Sequence, residues 1–327
     1  MSRTGFAYEF PHTSLLSVGD LNPLDVQLIF ERATYHFDAN RARSQQEKTL
    51  AGLLLVNLFF ENSTRTLTSF ETAAKRLGAE VINFSAGSAS ISKGESLADT
   101  ALNLNAMNPD LTVIRHQSAG AASYFAGVTG SSIVNGGDGA HEHPTQALLD
   151  AFTLTRHWGE VGGRRICIVG DILHSRVARS NISLLNLLNA EVRLCGPATL
   201  LPADADRWGV KIFHRLEDAL EGCDAVMALR MQKERMSGGL IPSDREFAAL
   251  YGLTHDRLAL AAPECLVMHP GPMNRGVEID GALADDIERA VILEQAEAGV
   301  AIRMAVLELL ARRSPSQSST HQTQEDA

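Results

Sequence analysis

Several common features are missing from this sequence. No apolar run approaches the roughly 18 residues of a transmembrane helix, which argues against a membrane protein. The N-terminus, MSRTGFAYEFPHTSLLS, has neither the long apolar core nor the small-residue cleavage site of a signal peptide. The four cysteines form no CxxC pair and are widely spaced, at Cys167, Cys195, Cys223 and Cys265. These absences favour a cytoplasmic protein with buried thiols, and they argue against a disulfide framework or a zinc site.

Positive charge is also scarce. The 29 Lys and Arg residues are outnumbered by 39 Asp and Glu residues, and the net charge of −10 argues against nucleic acid as the main partner. If the protein binds an anionic ligand, its positive charge must be focused in a cleft. The apolar fraction of 45% is typical of a globular protein, and the length of 327 residues suggests two domains.

From about Leu50 onward, short apolar stretches alternate with helical patterns. The predicted strands are 53–60, 80–84, 110–116, 131–139, 165–171, 191–197, 224–230 and 265–272. Repeated β-α units predict an α/β protein of two doubly wound domains, with mostly parallel central sheets joined by helices. Ligands are then expected at the C-terminal ends of the strands. A last helical pattern runs from Asp286 to Leu310, and the apolar-poor tail after it is predicted to be disordered.

Residues 59–66 read FFENSTRT and follow the apolar stretch LAGLLLVNL. Beyond them, apolar side chains recur at the spacing of one helix face, at Leu67, Phe70, Ala74 and Leu77. The pattern predicts a strand followed directly by a helix. Free backbone N–H groups and the positive end of the helix dipole gather at such a helix start, so it is suited to bind an anion.

Polar clusters fall at several predicted strand ends or loops: Ser63–Thr66, Ser92–Glu95, Arg115–His116, His143–Gln146 and Arg230–Arg235. Taken singly, each has an ordinary explanation. The first can be a helix cap with a solvated arginine, and the second a flexible loop. The histidine can be a hydrogen-bonded residue at a helix start, and the last cluster a solvated charged face.

The joint occurrence of these clusters favours a binding site. The cations Arg65, Lys93, Arg115, Arg176 and Arg230 all end strands or occupy the loops after them. An acidic protein seldom places so many cations by chance where ligands bind. Dinucleotide binding is poorly supported, because GDILHS, which follows a predicted strand, lacks the GxGxxG fingerprint.

The motifs FFENSTRTLTSFE, SKGESLADT, IRH, HPTQALLD, GDILHSR, RMQKER and HPGPMNR closely resemble the aspartate/ornithine carbamoyltransferase family, and within it the aspartate carbamoyltransferase catalytic chains. The resemblance runs from roughly Leu15 to Leu310. Ornithine members are expected to carry a reactive cysteine in an HCLP-type motif. The corresponding stretch here, 268–272, reads MHPGP without cysteine, which favours aspartate as the acceptor.

The resemblance implies transfer of the carbamoyl group from carbamoyl phosphate to L-aspartate, in pyrimidine biosynthesis, with no cofactor and no metal. It implies that carbamoyl phosphate is held by Ser63, Thr64, Arg65, Thr66, Arg115, His143, Gln146, Gly271 and Pro272, with Ser90 in an accessory role. Position 89, where the family often has a serine, is alanine here. L-Aspartate would be bound by Lys93, Arg176, Arg230 and Gln232. His143, Arg65, Arg115 and Lys93 would be the catalytic residues, and Gly271–Pro272 is the candidate for the family's cis peptide.

The resemblance also implies an organisation and partners. The carbamoyl-phosphate domain would comprise 1–144 plus about 293–313, the aspartate domain 145–292, and the disordered tail 314–327. Lys93 would reach the active site of a neighbouring subunit, which makes a homotrimer with shared sites the minimal active unit. The ending HPGPMNRG leaves a dihydroorotase or regulatory-chain partner open.

Two other functions remain as alternatives. A transcarbamylase could use another amino acceptor such as ornithine, although Arg230 would repel a cationic acceptor side chain. A non-catalytic homologue could bind an anion or act as a scaffold, but it should have lost one of the residues Arg65, Lys93, Arg115, His143 and Arg176. All five are present.

Overall fold

The computed structural model describes residues 8–85, 96–232 and 243–312. The strands are β1 (Leu54–Phe59), β2 (Glu80–Ser85), β3 (Leu111–His116), β4 (Ser132–Asp138), β5 (Arg165–Val169), β6 (Glu191–Cys195), β7 (Lys211–Phe213), β8 (Ala225–Ala228) and β9 (Leu266–Met268). The helices are α1 (Pro23–Arg41), α2 (Thr64–Arg76), α3 (Leu97–Asn105), α4 (Ala121–Val128), α5 (Pro144–Trp158), α6 (Arg176–Leu187), α7 (Leu216–Leu220), α8 (Asp244–Tyr251), α9 (His255–Leu258), α10 (Gly281–Ala284) and α11 (Ile292–Ala311).

These strands form two parallel sheets. The first has the order β2-β1-β3-β4 and the second the order β7-β6-β5-β8-β9. In each sheet, successive strands are first added on one side and then on the other. The direction changes between β1 and β3 in the first sheet and between β5 and β8 in the second. Ligands of open α/β sheets bind in the crevice that such a reversal leaves at the strand ends. The predicted fold class, two doubly wound units with parallel sheets, is confirmed.

Both faces of each sheet are covered, because successive side chains of a strand point to opposite faces. In β1, Leu55 and Phe59 pack into the layer of α1, α2, α5 and α11, whereas Val56 and Leu58 pack into the opposite layer. Strand β5 alternates in the same way, with Cys167 facing one core cluster and Ile166 the other. This two-sided burial explains why the strands read as continuous apolar runs.

All four cysteines are buried and free, as predicted. Among the helices of the described ranges, none is long and apolar enough to cross a membrane.

The start of the last helix was predicted wrongly. The helical pattern was placed from Asp286, but α11 begins at Ile292. The preceding residues extend the edge of the second sheet: the Val267 N–H donates to Arg289 O over 2.8 Å, and the Val291 N–H donates to Val267 O over 3.0 Å. Backbone groups used in this pairing cannot also serve a helix, so α11 starts one residue after it.

Helix α11 packs against α1, α2 and α5, and its contact with α1 is built around a buried carboxylate. Glu308 is fully buried and lies 2.8 Å from both Nε2 of His36 and Nη2 of Arg32. Arg312, one turn later, also contacts it. Burial by itself would raise the pKa of Glu308, but the His36 hydrogen bond and the arginine charges outweigh it and lower the pKa.

We expect Glu308→Gln to lower the free energy of unfolding by about 3 kcal/mol, because breaking a buried ion pair leaves its partners uncompensated. A folded-state pKa below the unfolded value of about 4.3 stabilises the fold above that pH, and this stabilisation is lost as pH falls through the lower folded value. The difference in the free energy of unfolding between the native protein and Glu308→Gln should therefore be largest near pH 7 and become smaller below about pH 4. Urea unfolding at several pH values measures it.

Glu297→Gln is the matched control, since Glu297 also joins α11 to α1 but does so at the surface, 2.8 Å from Nε of Arg41. An exposed pair of this kind is expected to contribute at most about 1 kcal/mol. Equal losses in the two variants would contradict the assigned role of Glu308.

Candidate active site

The turn from β1 to α2 leaves the start of the helix open to a ligand. Ser63 occupies the N-cap position, but its side chain makes no cap hydrogen bond. Its hydroxyl instead lies 3.0 Å from Oγ1 of Thr66, which is buried. The first-turn N–H groups are therefore not satisfied by this side chain, and the positive end of the helix dipole adds to their attraction for an anion.

Arg65 and Arg230 approach each other at this helix start, although they follow strands of different sheets. Partial burial and the nearby positive charge of Arg230 lower the pKa of Arg65. Gly271 lies directly against the Arg65 guanidinium: a Cβ at this position would be 1.9 Å from Nη1 of Arg65. The peptide bond between Gly271 and Pro272 is cis, as predicted. The loop after β9 thus brings Gly271 to Arg65 at the start of α2.

A second pair of arginines converges on Glu61. Nε of Arg115 lies 3.5 Å from Oε2 of Glu61, and Nη2 of Arg176 contacts the same oxygen. Arg115 also donates from Nη1 to the carbonyl oxygen of Gly136 over 3.0 Å. A Cβ at Gly137 would lie 3.0 Å and 3.1 Å from Nη1 of Arg115 and Arg176 respectively, so this glycine lets both guanidinium groups lie close to the end of β4.

His143 precedes α5 and is almost completely buried. Its Nδ1 atom has no hydrogen-bond partner among the described residues. Burial, followed by the positive charges of Arg115, Arg303 and Arg176, holds the pKa of His143 well below its usual value. The ring is therefore neutral near pH 7 and can donate one hydrogen bond to a ligand. Its backbone N–H is fixed by Oγ of Ser180, 2.8 Å away on α6.

The loops after β5 and β8 are tied together by Asp171, a fully buried residue. One carboxylate oxygen accepts from the backbone N–H of His174 over 3.2 Å, and the other accepts from the backbone N–H of Gln232 over 3.1 Å. Arg230 and Gln232 contact each other through Nη2 and Oε1 over 3.4 Å. The carboxylate thus fixes the relative positions of the loops that carry Arg176, Arg230 and Gln232.

This geometry offers positive charge to an anion at the start of α2 and carries two further guanidinium groups, of Arg176 and Arg230, after β5 and β8. Within the part of the chain that the structure describes, no group of three or more His, Cys, Asp or Glu side chains is placed to hold a metal ion.

Comparison with known proteins agrees with the geometry. Residues 13–156 match the carbamoyl-P binding domain of aspartate/ornithine carbamoyltransferases, and residues 162–310 match their Asp/Orn binding domain. The chain belongs to the aspartate/ornithine carbamoyltransferase family. The aspartate carbamoyltransferase catalytic subunit of Maricaulis maris is 66% identical over 95% of this chain and 97% of that protein. That of Rhodospirillum centenum is 56% identical over 93% of this chain and 95% of that protein.

Solved structures of the family are similar throughout. Aspartate transcarbamoylase from Trypanosoma cruzi, in complex with carbamoyl phosphate and aspartate, superposes with a TM-score of 0.81 at 32% identity, over 92% of this chain and 99% of that one. Ornithine carbamoyltransferase from Pyrococcus furiosus superposes with a TM-score of 0.81 at 24% identity, over 90% of this chain and 96% of that one, and supports the fold alone.

The structure places most of the residues that the carbamoyltransferase resemblance pointed to. Arg65 and Arg115 lie at the reversal of the first sheet, Arg176 and Arg230 at that of the second. Lys93 and Ser90 lie outside the described residues, as do positions 233–235 of RMQKER and the tail 314–327. Glu61 was not predicted, because its sequence position next to STRT gives no sign of the two arginines that it contacts.

We expect Gly271→Ala to weaken the binding of inorganic phosphate by at least about tenfold, because the new Cβ displaces the Arg65 guanidinium and a hydrogen bond to a charged group contributes about 1.5–3 kcal/mol. Isothermal titration calorimetry measures the affinity. The fold should lose only about 1–2 kcal/mol from the positive φ of +66°, since the clash is with the end of a flexible side chain.

Gly276→Ala serves as the control. Its φ is +80°, so it carries similar backbone strain, but a Cβ there would meet nothing within 4 Å. Phosphate affinity should be unchanged in this variant. Loss of phosphate binding in both variants would mean that backbone strain, and not the position of Arg65, is responsible.

Proposed function

We propose that this chain is an aspartate carbamoyltransferase, which transfers the carbamoyl group of carbamoyl phosphate to the amino group of L-aspartate and releases phosphate. One observation carries this proposal: four arginines and one neutral histidine lie at the crevices of the two sheets. They are Arg65, Arg115, Arg176, Arg230 and His143. The site is built for two anionic substrates, and it contains a hydrogen-bond donor for a carbonyl oxygen. Aspartate as acceptor is supported by the names of the two relatives reported above and by the cysteine-free MHPGP segment.

The phosphate group would be bound by Ser63, Thr64, Arg65 and Thr66 at the start of α2. Gly271 and Pro272 would accept the carbamoyl NH₂ through their backbone carbonyls, and Gln146 through its side chain. The contact between Gly271 and Arg65 supports this arrangement, since it places the two parts of the ligand site side by side.

The carbonyl oxygen of the carbamoyl group would lie between Arg115 and His143. When the deprotonated amine of aspartate attacks the carbonyl carbon, negative charge develops on this oxygen. Both side chains would then stabilise the tetrahedral intermediate. As the carbonyl re-forms, the C–O bond to the phosphate breaks, and the attacking nitrogen gives its extra proton to the leaving phosphate. One such donor typically lowers the barrier by roughly 3–4 kcal/mol. Catalysis comes from orientation and charge stabilisation, and His143 need not change its protonation state.

The two carboxylates of L-aspartate would be bound by Arg176 and by Arg230 with Gln232. Planar guanidinium groups suit carboxylates because they can bind them through two parallel hydrogen bonds. The buried position of Arg176 and the anchoring of Gln232 by Asp171 support this assignment. Lys93 would complete the site, and Ser90 would contact the phosphate.

We also propose the organisation around this site: a carbamoyl-phosphate domain of 1–144 plus about 293–313 and an aspartate domain of 145–292. The packing of α11 against α1 and α2 supports the return of the last helix to the first domain. The minimal active unit would be a homotrimer with shared sites, acting in cytoplasmic pyrimidine biosynthesis. The name catalytic subunit among the relatives supports assembly with other chains, of which a dihydroorotase or a regulatory chain is a candidate.

Acceptor choice tests the function. With carbamoyl phosphate, we expect ureido product from L-aspartate and none from L-ornithine.

Arg230→Gln should raise KM for L-aspartate by roughly 10- to 100-fold, since hydrogen bonds to charged groups contribute about 1.5–3 kcal/mol. Arg207→Gln, at an exposed arginine outside the site, should leave KM unchanged. Product from ornithine would overturn the acceptor assignment but not the phosphate site.

Mixed assemblies test the shared site. Lys93→Ala and Arg65→Ala chains should each be inactive as pure assemblies, because every site lacks one catalytic group. When the two are dissociated and reassembled together, some sites receive intact residues from both chains, and part of the activity should return. Confirmed mixed trimers without any recovery would contradict a shared site.

A further inference from the structure

A buried carboxylate, Asp150, lies one helical turn after Gln146 on α5. It is fully buried, and three side-chain amides donate to it. Nε2 of Gln146 and Nε2 of Gln295 donate to Oδ1 over 2.9 Å and 2.7 Å, and Nδ2 of Asn181 donates to Oδ2 over 2.8 Å. These donors come from α5, α11 and α6, so a single carboxylate joins three helices.

The charge of Asp150 determines how the Gln146 amide is oriented. An ionised carboxylate only accepts hydrogen bonds, so it must face the NH₂ end of a glutamine. With Nε2 directed at Asp150, Gln146 leaves its oxygen, Oε1, as the acceptor on the other side. An acceptor is what a carbamoyl NH₂ requires. The opposite orientation would present two NH₂ groups to each other.

A chain of hydrogen bonds also connects Asp150, through Gln295 and His269, to the loop that contains Gly271. Because Gln295 directs Nε2 at the carboxylate, its Oε1 is free to accept the backbone N–H of His269, 2.9 Å away. Nδ1 of His269 in turn accepts the backbone N–H of Gly271 over 2.8 Å. The carboxylate therefore fixes both groups that would hold the carbamoyl NH₂, the Gln146 side chain and the Gly271 segment.

Asn181 shows how strongly the carboxylate dictates amide orientation. Its Nδ2 donates both to Asp150 and to the carbonyl oxygen of Val177, 3.0 Å away. Its Oδ1 is buried and has no partner in the described part of the chain. A buried acceptor without a partner costs about 1–3 kcal/mol. The amide keeps this orientation because reversing it would set its oxygen against the carboxylate.

We propose that Asp150 is a positioning residue which, by orienting the amides of Gln146 and Gln295, makes the site select a ligand with a carbamoyl NH₂. This proposal rests on the proposed function and deepens it, since it explains how the site binds a ligand with a carbamoyl group in preference to one with a carboxylate at the same position. Burial raises the pKa of Asp150 to about 6, and Arg303 on α11 is the charged group that favours its ionised form. The carboxylate is therefore ionised in the neutral to alkaline range, where the assay is done.

The test compares two stable probes in one variant. Phosphonoacetamide carries the NH₂ of carbamoyl phosphate, whereas phosphonoacetate has a carboxylate in its place. The native protein should bind the amide more tightly, because Gln146 and Gly271 both present acceptors. In Asp150→Asn, the side chain at position 150 can present either an oxygen or an NH₂, so the reversed orientation of the Gln146 amide is no longer excluded. The ratio of the two dissociation constants should then fall by about tenfold. Calorimetry with each probe measures the ratio.

A compensating substitution distinguishes an effect on the orientation of the Gln146 amide from a general loss of structure at the site. In the double variant Gln146→Glu/Asp150→Asn, one oxygen of the new carboxylate at position 146 can accept from the new amide at position 150, and the other oxygen again faces the carbamoyl NH₂. The preference of this double variant for phosphonoacetamide over phosphonoacetate should be at least about threefold greater than that of Asp150→Asn. Gln146→Glu alone sets two carboxylates against each other and should bind phosphonoacetamide poorly. A purely structural role for Asp150 predicts no such recovery.

Glu308→Gln is the matched control, because it also removes a buried carboxylate charge but at the α1–α11 contact. It should reduce stability and leave the ratio of the two probes unchanged. If Asp150→Asn does not fold, Gln295→Met tests the chain of hydrogen bonds through Gln295 alone and should lower the ratio by about 3- to 10-fold. An unchanged ratio in the folded variant, or equal weakening of both probes, would overturn the proposal. Absence of carbamoyl transfer in the native protein would instead overturn the proposed function.

Discussion

The active site depends on holding several like charges together. Two guanidinium groups about 4 Å apart repel each other by about 4 kcal/mol at the effective dielectric constant of about 20 that suits protein surfaces. The fold opposes this repulsion by anchoring each arginine next to a strand: Arg115 in β3 itself, and Arg65, Arg176 and Arg230 just after β1, β5 and β8. Glu61 supplies a carboxylate between two of them. In the proposed function, the remaining positive potential attracts the anionic substrates.

Burial, together with the same potential, determines the protonation state of His143. A protonated imidazole would add another positive charge beside Arg115 and Arg176 in a buried site, so its pKa is lowered and the ring stays neutral. A neutral ring keeps one N–H and can therefore still donate a hydrogen bond near pH 7. In the proposed function, the cations that would bind the substrates thus also help to keep the histidine in the form that would stabilise the developing charge on the carbonyl oxygen.

Local pattern was sufficient to predict much of this molecule. The strands β1, β3 and β5, and the arginines at or after their ends, follow from apolar runs and from the position of charge along the chain. Helix α1 was not predicted, although Pro23 at its start and Val26, Ile29 and Ala33 on its buried face are recognisable signals. Strand order could not be predicted, because parallel pairing joins residues that are distant in sequence. For the same reason the positions of the two crevices came only from the structure.

The buried carboxylates were the least predictable part of the site, and they explain how an acidic protein builds a cationic cleft. Asp150 receives a donor from Gln295, 145 residues further along, and Asp171 one from Gln232, 61 residues further along. No sequence pattern indicates either contact. Both carboxylates are fully buried, and each fixes groups that the proposed function places around the substrates. Negative charge that would oppose substrate binding if it faced the cleft is thereby used to position the groups that would bind the substrates.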